Sequence, residues 1–281
     1  MTLVSFVIQL MGATFLLLFA VRMVRTGVER MSGPRLRTVL VGENRSRVMS
    51  AMSGVLIAIL LQSATASAML TIGFISSGLL TFAAGLAIIL GADLGSALVV
   101  QILTFKLDWL VPVLLATGGW MFLKFEGDNK RHIGRILLGV GLILVSLRMI
   151  GQASAPIADS ELVPVIAGYL QREIVTAFIL GIFLAFVMHS SVAAILLCVA
   201  LAVEGVVTAY VGVGIVLGAN VGSALLPVWL SRNLAMTHRS VVFANLIIRA
   251  SCAIIALAVL ANAPTLLITL PMTPGQTLAS V

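Results

Sequence analysis

The sequence predicts an all-α integral membrane protein of two inverted-topology repeats. Each repeat holds one transmembrane helix, one re-entrant helical hairpin, one broken transmembrane helix and one further transmembrane helix. Three observations lead there. The 281 residues are 60% apolar and 10% charged, with a mean hydropathy of +1.19, far from the averages of soluble domains. The apolar runs are interrupted by short polar stretches, of which Gln62-Ser63-Ala64-Thr65-Ala66-Ser67 is the most pronounced. The interruptions also recur 127 positions later, where His189-Ser190-Ser191 falls on Gln62-Ser63-Ala64 and Gly218-Ala219-Asn220-Val221-Gly222-Ser223 falls on Gly91-Ala92-Asp93-Leu94-Gly95-Ser96. From Ile88 to Leu98 and from Ile215 to Leu225, eight of eleven aligned positions are identical, so the chain is an internal duplication.

Leu3 to Val21 is the first predicted span, and a segment with seven Arg between Arg22 and Arg47 follows it. The absence of a basic stretch before this run marks a retained helix rather than a cleaved signal. Val48 to Leu61 and Ala64 to Ser77 are each too short to cross a ~30 Å hydrocarbon core, and are read as one re-entrant hairpin. Leu79 to Phe105 is long enough to cross but carries Gly91 to Ser96 at its middle, where Gly, Asp and Ser disfavour helix, so it is read as broken. Trp109 to Phe125 closes the first repeat, residues 1–130. The second repeat, 131–281, runs through the span Ile136 to Ile150, an outer segment 151–172, the hairpin arms Ile174 to Met188 and Val192 to Val203, the broken helix Val206 to Leu230 and the span Val241 to Ala261.

A hairpin does not change sides, so each repeat crosses three times and the second enters upside down relative to the first. With the amino terminus outside, 13 of the 17 Lys and Arg fall in inner segments or at their edges, as the positive-inside rule requires. That pattern accounts for the net charge of +7 without nucleic acid, for which no aromatic-interleaved basic face is present. The run from Arg22 to Arg47 is expected to set orientation and touch anionic lipid rather than gather substrate. Cys198 and Cys252 lie in apolar runs and read as small apolar residues, not a disulfide.

Non-helical backbone in hydrocarbon must be buried by protein or line a water-filled cavity. Four interruptions at matching depths should therefore meet, and with them four helix amino termini, each carrying about half a positive charge. Such a site favours an anion, with the hydroxyls of Ser63, Thr65, Ser190 and Ser191 and the side chains of Gln62 and His189 as hydrogen-bond donors. The carbonyl ends on the other side of each break suit Na+. Asp93 is the only acidic residue inside a predicted span and needs a cationic partner there, which is Na+, a proton or Arg249. For any one Ser or Gly the plain reading is a hydroxyl bonded to its own helix or a close helix contact; it is the duplication of the whole pattern that favours a site. Arg249 divides evenly between snorkelling and a counter-ion role.

The tip and break motifs resemble the Na+/phosphate cotransporter family, in which a Gln-Ser-Ser-Ser type tip followed by a Gly-Ala-Asn-x-Gly-Ser/Thr type break occurs once in each inverted copy. The resemblance covers nearly the whole chain. It implies secondary transport of inorganic phosphate with Na+ as coupling ion and no other cofactor, in a bacterial cytoplasmic membrane, by an elevator-like or rocking exchange of access. It assigns substrate contacts to Gln62, Ser63, Thr65, His189, Ser190 and Ser191, and to Gly91, Gly95, Ser96, Gly218, Asn220, Gly222 and Ser223. The Na+ candidates are Asp93, Asn220, Ser67, Ser96 and Ser223, with Arg249 as counter-ion. Asp93 stands where the family has Asn, His189 where it has Gln, and Ala64 and Val192 remove hydroxyls; Asp and His are groups that carry protons. The competing readings are a transporter of another oxyanion or a carboxylate, H+-coupled or exporting, and outside transport a membrane scaffold or an intramembrane enzyme. An enzyme is disfavoured, since His132, His189 and His238 are far apart and nothing marks a nucleophile. Oligomeric state is left open, a homodimer included.

Overall fold

The computed structural model describes residues 3–40, 46–61, 63–104, 109–126, 129–158 and 174–262, and these are helical apart from short connections. Among the described residues ten helices follow one another: α1 (Leu3–Leu40), α2 (Arg47–Leu61), α3 (Ala64–Ser76), α4 (Phe82–Leu103), α5 (Leu110–Lys124), α6 (Asn129–Ala158), α7 (Ile174–Met188), α8 (Ser191–Val203), α9 (Ala209–Leu230) and α10 (Met236–Asn262). Five of them, α1, α4, α6, α9 and α10, are long and apolar enough to cross a membrane. α1 and α6 extend well beyond the spans expected from hydropathy. The outer segment 159–172 and the residues after Asn262 lie outside the described residues.

The duplication is visible helix by helix. Shifting α2, α3 and α4 by 127 positions reproduces both ends of α7, α8 and α9. The signals that set these ends are duplicated too. Ser63 caps α3 by accepting from Ala66 N at 3.1 Å, and Ser190 caps α8 by accepting from Ala193 N at the same distance. Thr81 and Thr208 cap α4 and α9 in the same way, each side-chain oxygen satisfying an otherwise orphaned first-turn N–H. α3 and α8 end at Gly78 and Gly205, whose φ values of 74° and 77° are the left-handed cap conformation that only Gly adopts without steric cost.

The two predicted broken helices are not broken: α4 and α9 run without interruption through Gly91–Ser96 and Gly218–Ser223. Tertiary packing explains why these glycines do not end the helix. Spaced four apart, Gly91 and Gly95 lie on one face of α4, where added Cβ atoms would collide with the backbone of Ala51 and Val55 on α2, and Gly54 of α2 meets Ile88 in return. The second repeat copies the arrangement, with Gly218 and Gly222 of α9 against Phe178 and Ile182 of α7, and Gly181 against Ile215. The serines turn inward on their own helix, Ser96 Oγ donating to Asp93 O and Ser223 Oγ to Asn220 O, both at 2.9 Å. The motif therefore joins helices closely. Of the four interruptions expected from the sequence, the two hairpin joints start new helices and the two glycine motifs do not.

We expect Gly218→Val to destabilise the chain by about 1–3 kcal/mol through overpacking against α7, while Gly73→Ala, whose Cβ would meet nothing within 4 Å, leaves the thermal unfolding midpoint in detergent unchanged or raises it. Equal midpoints for the two variants would refute the packing role.

The core draws on both repeats. Leu17 and Val24 of α1, Val99 and Val100 of α4, Ile143 and Ile150 of α6 and Leu196 of α8 form one buried cluster. A second joins α3 and α4 to Val241 and Val242 of α10. The outer surface carries large apolar side chains, among them Ile8, Phe15 and Phe19 on α1 and Ile247, Ile254 and Ile255 on α10, a surface fit for lipid. Lys124 sits over Trp120 and Arg232 over Trp229, with 4.8 and 4.5 Å to the ring centres, pairs of the type found at membrane interfaces.

Candidate functional site

Both hairpin joints reach one cavity. Ser63 at the α2–α3 joint and Met188, His189 and Ser190 at the α7–α8 joint line a space of about 590 Å³ whose remaining wall is α1, through Leu18, Val21, Arg22, Arg25, Thr26 and Glu29. Ser63 and Ser190 are the caps of α3 and α8, so the amino ends of both helices stand at this wall. A second cavity of about 630 Å³ shares Arg25, Glu29 and His189 and continues along α3 past Thr65, Ala66 and Met69 to Leu226 and Leu230 of α9. Gln62, the remaining residue of the first tip, lies outside the described residues.

His189 is the only non-glycine with positive φ among the described residues, at 53°, a conformation that His adopts more readily than bulkier side chains. It turns the chain between α7 and α8, and its Nδ1 lies 2.9 Å from the carbonyl of Val187. Ser191 is buried in the first turn of α8. Ser67 is buried on α3, its hydroxyl donating to Ser63 O at 3.0 Å while its carbonyl accepts from Thr71 Oγ1.

Arg22 and Arg25, the first two members of the basic run, line the cavity. Arg25 Nε pairs with Glu29 at 2.8 Å, a half-exposed contact worth a fraction of a kcal/mol (about 0.3–0.5) that orients the guanidinium more than it stabilises the fold. The signal was present as spacing, since positions 18, 22, 25 and 29 recur at helical period on one face of α1. Two guanidinium groups against one carboxylate, and two helix amino ends, give the cavity an excess of positive charge, the kind of environment that favours an anion.

The break residues do not join this cavity. Neither space is lined by Gly91, Gly95, Ser96, Gly218, Asn220, Gly222 or Ser223. Around them sits a different constellation. Arg249 of α10, only 6% exposed, places Nε 2.7 Å from Asp93 Oδ2 of α4. Its Nη1 donates to Asn220 O at 2.7 Å and to Ser223 Oγ at 2.6 Å, both on α9. Of the partners foreseen for Asp93, the structure holds Arg249, and the guanidinium stands among the oxygens expected to attract Na+.

Comparison with known proteins follows from this geometry. The profile of the Na+/Pi-cotransporter family matches residues 16–152 and again 153–269. The chain is 39% identical over 219 residues to the Escherichia coli (strain K12) protein named "Putative inorganic phosphate export protein YjbB", covering 78% of this chain and 40% of that protein. The Salmonella typhimurium protein of the same name is 38% identical over the same shares. The Bacillus subtilis "Uncharacterized protein YqeW" is 25% identical over 77% of this chain and 71% of its own length. The chain thus spans about two-fifths of the enterobacterial relatives. No solved structure gives a significant match.

Proposed function

The chain belongs to the Na+/Pi-cotransporter family, a family of transporters rather than enzymes, and on that premise we propose that it moves inorganic phosphate across a bacterial cytoplasmic membrane. The observation that carries this reading is the meeting of two joints 127 positions apart, at Ser63 and Ser190, in one cavity with Arg22 and Arg25. Phosphate would accept from the two serine hydroxyls and the helix amino ends, with the guanidinium groups supplying charge-assisted bonds. Thr65 and His189 border the adjoining space, and Gln62 belongs to the same tip by sequence.

The reading includes inverted repeats, with the short helix pairs α2–α3 and α7–α8 entering from opposite faces. At ~1.5 Å per residue, the 15-residue helices α2 and α7 fall well short of a ~30 Å core, and so does α5, also 15 residues. The reading therefore rests on the matched pairs of helices joined at Ser63 and Ser190 and takes α5 as the sixth crossing from the predicted span Trp109 to Phe125. Arg22, Arg25 and Glu29 belong to the end of α1 that the positive-inside rule assigns to the cytoplasm, so this cavity is read as open to the inside. The name of the enterobacterial relatives favours export as the direction of net flux. Na+ enters through the family description alone; of the oxygens expected to hold it, those of Asp93, Asn220 and Ser223 surround Arg249.

The test is flux of radiolabelled phosphate in sealed proteoliposomes, measured in both directions, with and without a Na+ gradient and with sulfate and dicarboxylates as competitors. We expect saturable phosphate flux that phosphate itself competes for best, and that Ser63→Ala/Ser190→Ala cuts at least about tenfold, the equivalent of one lost net hydrogen bond. Absence of phosphate flux in either direction, or stronger competition by another anion, overturns the assignment.

A further inference from the structure

We infer that Arg249 is a tethered cation occupying a built monovalent-cation site, whose oxygens come from Asp93, Asn220 and Ser223. The set combines one carboxylate, one main-chain carbonyl and one hydroxyl, supplied by α4 of the first repeat and α9 of the second, all within 2.7 Å of guanidinium nitrogens. Oxygen donors of these three kinds are what a hard cation takes. Asn245, one turn before Arg249 on the same face of α10, is hydrogen-bonded to the Asp93 side chain and has a buried side-chain oxygen without a hydrogen-bond partner.

The duplication separates the oxygens that both repeats share from the two charges that they do not. Ser223 Oγ to Asn220 O repeats Ser96 Oγ to Asp93 O at the same 2.9 Å, so the carbonyl and hydroxyl are features of both repeats. The carboxylate and the guanidinium are not: one repeat away, Asp93 becomes Asn220 and Arg249 becomes Phe122. One unduplicated anion and one unduplicated cation therefore meet at a single point between the halves. The guanidinium supplies from within the chain the charge that a dissolved ion would bring, and a protein so built needs no Na+ at this position.

The test uses the full chain in detergent with Na+ and guanidinium as probe ions and choline as the inert control. With each probe held at a few millimolar, where guanidinium does not yet denature, wild type is expected to unfold at the same temperature in all three salts. Arg249→Ala, which empties the cage and leaves Asp93 unpaired, should gain about 4 °C in Na+ or guanidinium over choline, as for an ion at several times its Kd. Arg249→Ala/Asp93→Asn should respond to neither ion. The inference is overturned by an Arg249→Ala protein that is monodisperse but indifferent to both ions, by an equal response in wild type or in the double variant, or by failure of Arg249→Ala to give monodisperse protein in every salt. No phosphate enters the readout, so a wild-type chain that fails to move phosphate would defeat the transport assignment and leave this test intact.

Discussion

Asp93→Ala is expected to lower the thermal midpoint of the detergent-purified chain in choline by roughly 6–20 °C, the equivalent of about 3–5 kcal/mol for removing one partner of a buried ion pair. The cost arises on the other side of the pair. Arg249, 6% exposed, would keep its bonds to Asn220 O and Ser223 Oγ but lose its only close anion, leaving a charge in an apolar bundle without compensation. Removing both charges should restore most of the loss, because apolar replacement of a buried pair is often neutral or stabilising. We therefore expect Asp93→Leu/Arg249→Leu to unfold close to wild type, with a large coupling energy in the double-mutant cycle. If the two single changes are small and additive, the pair does not hold α4, α9 and α10 together.

Arg22→Gln/Arg25→Gln is expected to raise the half-saturating phosphate concentration by roughly 10–150-fold, as for the loss of one charge-assisted hydrogen bond worth about 1.5–3 kcal/mol. Gln keeps hydrogen-bonding capacity and much of the side-chain length, so the change isolates charge. Arg30 is exposed on α1 outside both cavities, and Arg30→Gln serves as the comparison, with half-saturation expected within twofold of wild type. The wild-type affinity should weaken as salt rises, since the cavity is open to solvent and its charges are screened over a Debye length of about 10 Å at 0.1 M. Unchanged half-saturation in the double variant would return these arginines to the orientation and lipid roles that the sequence suggested.

What was legible without coordinates was whatever is written locally or repeated. The joints at Gln62–Ser67 and His189–Ser191 stood out as polar interruptions of apolar runs and as a pair 127 positions apart, whereas the capping by Ser63 and Ser190 and the turns at Gly78 and Gly205 came from the structure. The hairpin arm Ile174 to Met188 was placed to the residue, since an uninterrupted apolar run between a charge and a polar joint leaves little freedom. Gly91 to Ser96 was misread for the converse reason. Intrinsic propensity says that such a stretch weakens a helix, but whether it breaks depends on α2, whose backbone packs onto the very face the glycines vacate.

The sequence by itself determined the helical membrane class, the duplication and the two polar joints, because composition, a fixed repeat and polar interruptions of apolar runs need no knowledge of what lies across the bundle. The tertiary structure alone decided that α4 and α9 stay continuous, that Arg22 and Arg25 turn toward the serine tips, and that Arg249 pairs with Asp93. Each of these depends on the rotation and spacing of helices distant in the chain. Side-chain partners across a helix bundle are fixed by that geometry and leave no pattern within a single helix.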